Sequence, residues 1–269
     1  MRSERQLSML ALMGVRLFEP HSHRAARSGE MVHPPAARGM GQGPIPLRGE
    51  LEHPPGPPAA RGDGAALPPA RGDVASMDWA ALRDAVAACR ACGLCESRRQ
   101  TVFGVGHRRA DWMIVGEAPG EQEDLRGEPF VGPAGQLLDA MLRALGLTRS
   151  DGPPERQVYI CNTLKCRPPR NRNPEPEELA RCEPFLQRQI ALVQPKIILA
   201  MGRFAVQSLL RSNEAIGKLR GRVHRYQEVP LIVTYHPAYL LRNLVDKARA
   251  WDDLCLAADT LAATDRSRA

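Results

Sequence analysis

The chain has 269 residues, 43% of them hydrophobic and 25% charged, a balance that supports a packed core. No apolar run approaches the ~18 residues of a membrane span, which argues against an integral membrane protein, and the patterning is neither collagenous nor coiled-coil. Lys and Arg total 37 against 30 Asp and Glu, a net charge of +7 that suits a polyanionic partner without specifying one.

Residues 1–76 differ from the rest. They repeat an imperfect Pro-Pro-Ala-Arg-Gly unit (Pro34-Pro35-Ala36-Ala37-Arg38-Gly39, Pro57-Pro58-Ala59-Ala60-Arg61-Gly62, Pro68-Pro69-Ala70-Arg71-Gly72) and hold few residues that could bury a face. This predicts a disordered Pro/Gly/Ala/Arg-rich extension. The Arg-Gly-Asp tripeptides in it read as by-products of the repeat. The apolar stretch at residues 9–15 is too short for a span, and no small-residue cleavage site follows it, so no secretory signal is expected. The expected compartment is the cytoplasm, where the seven cysteines would be thiols or metal ligands rather than disulfides.

The folded part is expected over 77–263, with a short tail at 264–269. Trp79, Leu82, Ala85 and Val86 recur at helical spacing and predict a helix running into Cys89. The apolar run 112–115, ended by Gly116, predicts a buried strand. Leu137, Leu138, Met141, Leu142 and Leu145 form a helical stripe that closes at Gly146. A second strand is predicted at 158–161. Asn173-Pro174 reads as N-cap and first residue of a helix continuing to about Val193. A third strand at 196–201 ends in Gly202 and leads into a helix at 203–210. A fourth strand at 231–234 runs into Tyr235-His236-Pro237, and a last helix covers 246–261. Apolar strands alternating with helices predict an α/β fold, a three-layer α/β/α sandwich with a central, mostly parallel four-stranded sheet. In such sheets the working residues collect at the carboxyl ends of strands. Here those are the turn from Gly116 to Gly120, Asn162, and His236-Pro237.

Cys89-x2-Cys92-x2-Cys95 stands early, and Cys166 and Cys182 follow far downstream. A Cys-x2-Cys pair with a distant second pair outlines a four-thiolate metal site. Zinc and an iron–sulfur cluster both suit it, with the wide second spacing favouring the cluster. Cys95 competes with Cys89 and Cys92 for a place. Cys161, in a strand, and Cys255, in a helix, read as buried apolar residues. The motif Gly116-Glu117-Ala118-Pro119-Gly120 is no phosphate loop, because no Lys-Ser or Lys-Thr follows it. Its small residues let backbone approach a ligand, and the carboxylates that follow suit a water or a developing cation better than a phosphate.

The order of these elements resembles the family-4 uracil-DNA glycosylases, the iron–sulfur members of the uracil-DNA glycosylase superfamily. The resemblance is carried by Cys89 and Cys92, Val102-Phe103-Gly104-x-Gly106, the motif from Gly116 to Asp124, and Gly127-x-Pro129-Phe130-Val131-Gly132-x-Ala134-Gly135. It continues through Val158-Tyr159-Ile160-x-Asn162, Lys165-Cys166-Arg167-Pro168-Pro169-x-Asn171-Arg172, Cys182, Leu219-Arg220-Gly221, His236-Pro237-Ala238-Tyr239-Leu240-Leu241-Arg242, and Lys247-x3-Trp251. The extension lies outside it.

The resemblance implies hydrolysis of the N-glycosidic bond of deoxyuridine in DNA, leaving an abasic site for base excision repair. The base must be flipped into a pocket. Phe130 then resembles the stacking residue, Asn162 the residue that reads the uracil edge, and His236 the donor to uracil O2. Residues 117–123 would wall off the 5-methyl group of thymine. Ala118 stands where other branches carry a polar water-activating residue. The water is then left to backbone around Ala118-Pro119, to Glu117 or to Glu123, with Asn171 as a candidate to orient Glu117. Leu240 and Leu241 resemble the minor-groove wedge. Arg242, Arg220 and Arg222 are candidate phosphate contacts.

By the same resemblance, Cys89, Cys92, Cys166 and Cys182 hold a four-iron, four-sulfur (4Fe-4S) cluster, zinc being the alternative. The cluster would pin the first helix to the loop after Asn162. The expected partner is uracil-containing DNA, single- or double-stranded, with the protein a monomer away from membranes and nucleoid-associated when bound. Two other readings are a covalent uracil-trapping protein and a non-catalytic uracil-DNA binder with a structural cluster. The first would carry a histidine-containing insertion after the second strand, and residues 167–173 hold no histidine. The intact set Phe130, Asn162 and His236 argues against the second. A polymerase-like activity would need paired carboxylates on strands, and the sequence shows none.

Overall fold

In the computed structural model, residues 74–266 are described; the extension over 1–73 and the last three residues lie outside the described residues. The strands are β1 (Val105–Gly106), β2 (Trp112–Gly116), β3 (Val158–Asn162), β4 (Ile197–Met201), β5 (Val223–Tyr226) and β6 (Val229–Thr234). They form one sheet in the order β1-β3-β2-β4-β6-β5. The four inner strands are parallel, and they are the four apolar runs of the sequence. The sheet nevertheless has six strands rather than four. Two antiparallel edges, β1 and β5, were not expected from the sequence. β1 is only two residues long, and β5 reads Val-His-Arg-Tyr with exposed and half-buried residues alternating, so neither shows as an apolar run. β5 turns into β6 at Gln227, a non-glycine residue with φ of 51°.

Burial on both faces explains the apolar runs, since helices cover both sides of a parallel sheet. In β2, Trp112 and Ile114 point to the core under α4 (Pro133–Ala144) and α9 (Asp246–Arg266). Met113 and Val115 point to the opposite core, under α5 (Pro176–Val193) and α6 (Arg203–Leu210). A third cluster gathers α1 (Trp79–Ala87), the short α2 (Leu94–Ser97) and the cysteine-bearing segments. Val74, within the segment assigned to the extension, is buried in it. Three further short α-helices are α3 (Glu121–Arg126), α7 (Ile216–Leu219) and α8 (Pro237–Leu240), and 3₁₀ turns lie at Val74–Ser76, Pro154–Arg156 and Pro169–Asn171.

Helix ends differ from expectation at three places. Asp78 caps α1 through Ala81 N–H at 2.9 Å, but the helix stops at Ala87, short of Cys89. α5 begins at Pro176 with Glu175 as N-cap, not at Asn173-Pro174, because the Glu178 carboxylate reaches back to Glu175 N–H at 2.8 Å and also pairs with Arg172. α9 continues to Arg266, past the expected end. No helix among the described residues is long and apolar enough to cross a membrane.

Candidate active site

The chain leaves β2 toward β3 on one side and returns to β4 on the other, and such a switch opens a crevice at the carboxyl ends of the strands. A cavity of about 820 Å³ lies there, and Glu117, Ala118, Glu123, Phe130, Asn162, His236 and Arg242 all line it. The residues that sequence reading assigned to catalysis and base recognition are therefore brought together.

Gly116 and Asn162 face each other in the β2–β3 register. A Cβ at Gly116 would lie 2.4 Å from Asn162 Oδ1 and 2.5 Å from Phe130 Cζ, so only glycine leaves room for both side chains. Asn162 is 2% exposed, and its Oδ1 is a buried acceptor without a hydrogen-bond partner. Buried polar atoms are nearly always paired, so an orphan beside a cavity marks a place for a ligand donor.

Phe130 has φ of 55°, a left-handed conformation that strains a bulky residue. Gly135 permits it by close packing: a Cβ there would meet the Phe130 carbonyl oxygen at 1.7 Å. Glu123 then locks the loop. Its Oε1 accepts from Val131 N–H at 2.9 Å and Gly132 N–H at 3.0 Å, and its Oε2 accepts from Gly120 N–H at 3.0 Å. Both carboxylate oxygens are thus engaged by backbone amides. This corrects the expectation that ranked Glu123 with Glu117 as the water-activating group; Glu123 is a clamp.

Glu117 differs. Burial pushes its carboxyl up to about 7, partly offset by the nearby Arg203 guanidinium. No hydrogen bond to its carboxylate is seen among the described residues, while its carbonyl oxygen accepts from Leu164 N–H at 3.0 Å and from the Thr163 hydroxyl. No hydrogen bond joins Asn171 to it among the described residues; Asn171 Oδ1 accepts from Arg167 Nε at 2.8 Å. Ala118 lines the cavity on one side and packs against the cysteine-bearing core on the other.

His236 caps α8, and its Nδ1 accepts from Ala238 N–H at 3.2 Å. Desolvation pushes its pKa down to about 4, with Glu123 opposing and Arg242 adding to the shift. The ring is therefore neutral near pH 7, and with Nδ1 accepting, the proton sits on Nε2. Its ring stacks on Phe130, with centroids 5.4 Å apart and planes 28° apart.

The DNA-facing assignments divide. Leu240 is fully buried in the core beside α4 and α9, so it cannot act as a wedge without unfolding α8. Leu241 is 42% exposed, and the adjoining Leu244 and Val245 are more exposed still, at 59% and 86%. Sequence reading missed that pair, since nothing local distinguishes an exposed Leu-Val from a buried one. Arg220 is also reassigned: Nε donates to Asp253 Oδ2 at 3.0 Å, Nη2 lies 2.9 Å from Asp253 Oδ1, and Asp253 is fully buried. It braces α9 instead of facing phosphate. Arg222 is exposed, with Glu214 4.0 Å away. Arg242 stays exposed on the cavity rim. Tyr235 and Tyr239, also at the cavity, stack at 5.1 Å and 17°. Their four-residue spacing was a signal that went unread.

Cys89, Cys92, Cys95, Cys166 and Cys182 line one small pocket with Val86, Leu94, Leu164 and Phe185. Arg98 Nη1 donates to Cys166 Sγ at 2.9 Å and Nη2 to the Cys89 carbonyl at 2.7 Å, while Lys165 N–H donates to Cys182 Sγ at 3.3 Å. Burial pushes Cys166 up to about 11 and Cys182 up to about 12, and raises Cys92. A metal bound here would have to displace thiol protons. Cys161 is fully buried in β3, as expected; Cys255 is only partly buried, packing against the sheet core. Among the described residues, no group of three or more His, Cys, Asp or Glu side chains is arranged to hold a metal ion. The pocket nonetheless fits an all-sulfur centre by its donor set: thiols, apolar walls and N–H groups aimed at sulfur.

The crevice at the strand ends of this doubly wound sheet thus holds a buried amide oxygen without a partner and a histidine that burial keeps neutral. Residues 103–255 match the uracil DNA glycosylase superfamily, and the chain belongs to it. Within it, the chain sits with the type-4 uracil-DNA glycosylases. It is 43% identical over 164 residues to the type-4 uracil-DNA glycosylase of Archaeoglobus fulgidus, covering 58% of this chain and 79% of that protein. With the type-4 enzyme of Pyrobaculum aerophilum it shares 39% over 188 residues, 67% of this chain and 93% of the relative. The type-5 uracil-DNA glycosylase of Pyrobaculum aerophilum is less similar, 35% over 150 residues, 51% of this chain and 66% of that protein.

Proposed function

We propose that the chain hydrolyses the N-glycosidic bond of deoxyuridine in DNA, as a uracil-DNA glycosylase of base excision repair, with the following assignment of roles. The flipped uracil stacks on Phe130. Its N3–H donates to Asn162 Oδ1, the orphaned acceptor that carries this reading. Cytosine has no proton at N3 and would set two acceptors against each other. As the bond from C1′ to N1 breaks, its electron pair passes to the base, and His236 Nε2–H donates to O2, where the negative charge collects. Water adds to C1′ and gives its proton to the Glu117 carboxylate, whose raised pKa suits a base working near neutrality. Ala118 supplies no side chain for this step. Arg242 on the rim meets phosphate, and Leu241 enters the minor groove.

Cys89, Cys92, Cys166 and Cys182 would hold a 4Fe-4S cluster. When bound, it would staple α1 to the loop after Asn162, and it would supply no redox step to the hydrolysis. The all-thiol donor set in one apolar pocket supports the cluster, with zinc as the alternative. Thiol ligands suit a reducing cytoplasm, and the protein is proposed to act as a monomer on single- or double-stranded DNA.

The test is an oligonucleotide with one deoxyuridine, incubated with iron-assayed protein and cleaved with alkali. Cleavage only of the uracil strand is expected, with Asn162→Asp losing at least tenfold in rate. Equal cleavage by Asn162→Asp would remove Asn162 from recognition. No cleavage by iron-replete protein, with an adduct on a denaturing gel, would replace hydrolysis with covalent trapping.

A further inference from the structure

Lys165 is 1% exposed and the largest fully buried side chain of the described residues. It stands between Asn162, at the end of β3, and Cys166. Its Nζ donates to the Asn162 carbonyl oxygen at 2.6 Å and to Gln189 Oε1 at 2.6 Å. Gln189 is itself fixed, its Nε2 donating to the Phe103 carbonyl at 2.9 Å and to Tyr159 Oη at 3.0 Å. Lys165 N–H reaches Cys182 Sγ, and Cys182 and Gln189 lie seven residues apart on one face of α5. No carboxylate forms an ion pair with Lys165 among the described residues.

A buried ammonium bonded only to neutral acceptors is unfavourable unless a negative charge lies nearby. Four thiolates give a four-iron centre a net negative charge, and Cys166 and Cys182 flank this lysine. We propose that Lys165 is the buried counter-charge of the cluster and, through its bond to the Asn162 carbonyl, the positioning residue that holds the base-reading amide in register with uracil. The inference rests on the cofactor reading above. It gives the cluster a second effect beyond stapling: its charge fixes the ammonium, and the ammonium fixes the strand end from which Asn162 projects.

The test compares full-length, cluster-loaded protein with Lys165→Met and Gln189→Glu. Iron and sulfide are counted, and the cluster's midpoint potential is measured. Equilibrium binding is then measured to oligonucleotides carrying either a non-cleavable deoxyuridine analogue or deoxycytidine at one position. In Lys165→Met the potential moves negative, because a positive charge is removed. The preference for the uracil analogue falls about tenfold with affinity for the deoxycytidine strand unchanged, the scale of one charge-assisted hydrogen bond. In Gln189→Glu a carboxylate arrives beside Nζ, and the potential again moves negative while the preference is retained.

An iron-replete Lys165→Met with wild-type potential and preference overturns the inference. If Lys165→Met takes up no iron, the potential of Gln189→Glu decides: a negative shift supports the counter-charge and no shift overturns it. Wild-type protein without iron overturns the cofactor reading instead, and the uracil preference of Lys165→Met against wild type then still tests the bond to Asn162.

Discussion

Glu117→Gln separates chemistry from stability more sharply than any other single change here. The Glu117 carboxyl, ordinarily near 4.5, is pushed up to about 7 by burial. Below pH 4.5 it is neutral folded and unfolded, and has no pH-dependent effect on stability. Between 4.5 and 7 the folded state holds the proton that the unfolded state releases, so stability falls as pH rises. Above 7 the loss is complete. At 1.36 kcal/mol per pKa unit the shift corresponds to about 3 kcal/mol, and partial solvent access of the side chain reduces this to about 2 kcal/mol. Glu117→Gln removes the ionisation, so the variant gains stability relative to wild type above pH 7 and little below 4.5. Catalysis runs the other way. Only the carboxylate accepts the water proton, so kcat/KM of the wild type rises with pH to a plateau, with its midpoint near 7. The variant is slower by about 10²–10⁴-fold at pH 8 and loses that midpoint. The assays are denaturant melts and single-turnover uracil release from pH 5 to 9. A Glu117→Gln variant as fast as wild type, or one that keeps the inflection near 7, would refute the assignment of Glu117 as base.

The remaining predictions follow from the same contacts. Glu123→Ala leaves three backbone N–H groups without their acceptor and releases the Phe130 loop, so it loses about 2–4 kcal/mol in urea melts. Its rate falls, but the pH midpoint set by Glu117 stays; a vanished midpoint would return Glu123 to the chemistry. His236→Ala slows uracil release by about 10²–10³-fold with DNA affinity nearly unchanged, one donor to the departing base being lost. Nitrogen NMR of the wild type should find the His236 ring neutral and protonated at Nε2 down to about pH 5, and an imidazolium at pH 7 would contradict the burial that pushes it to about 4. Arg220→Ala strands the buried Asp253 and destabilises by about 3–5 kcal/mol, whereas Arg242→Ala leaves the melt unchanged and lowers the salt slope of DNA binding by about one. Swapped outcomes would reverse the two arginines' roles.

What the sequence disclosed follows the physics of each signal. The four inner strands were legible because burial on both faces makes each an unbroken apolar run bounded by glycine or a polar residue. The edges β1 and β5 were not, since a two-residue strand and a half-exposed Val-His-Arg-Tyr carry no such run. Site residues stood out because Gly116 and Asn162 end strands and His236 stands just past one, and strand ends converge in a parallel sheet. Their division of labour was hidden. Glu117 and Glu123 are glutamates six residues apart in one motif, and only the amides that surround Glu123 distinguish clamp from base. Leu240 and Leu241 are neighbours of one type, and the single turn of α8 buries one and exposes the other. Arg220 looked like a surface cation because its partner Asp253 lies 33 residues away.

The pocket's geometry is determined by contacts that do no chemistry. Phe130 in a left-handed conformation would relax if its loop were free, at a gain of order 1–3 kcal/mol. Three amides on Glu123 and the bare backbone at Gly135 prevent that relaxation, while the bare backbone at Gly116 leaves room for both Asn162 and Phe130. Phe130 and Asn162 are therefore set before any ligand arrives, and so is His236, whose Nδ1 accepts a backbone N–H and leaves the proton to Nε2. Flipping a base out of the stack has a cost of a few kcal/mol. A pocket that needed ordering as well would add to it, so rigidity at Phe130 lowers the barrier for every substrate that fits. On the roles proposed above, selectivity would fall on Asn162 Oδ1, the one buried side-chain oxygen without a partner among the described residues, which would reward a proton at N3 and oppose a lone pair there.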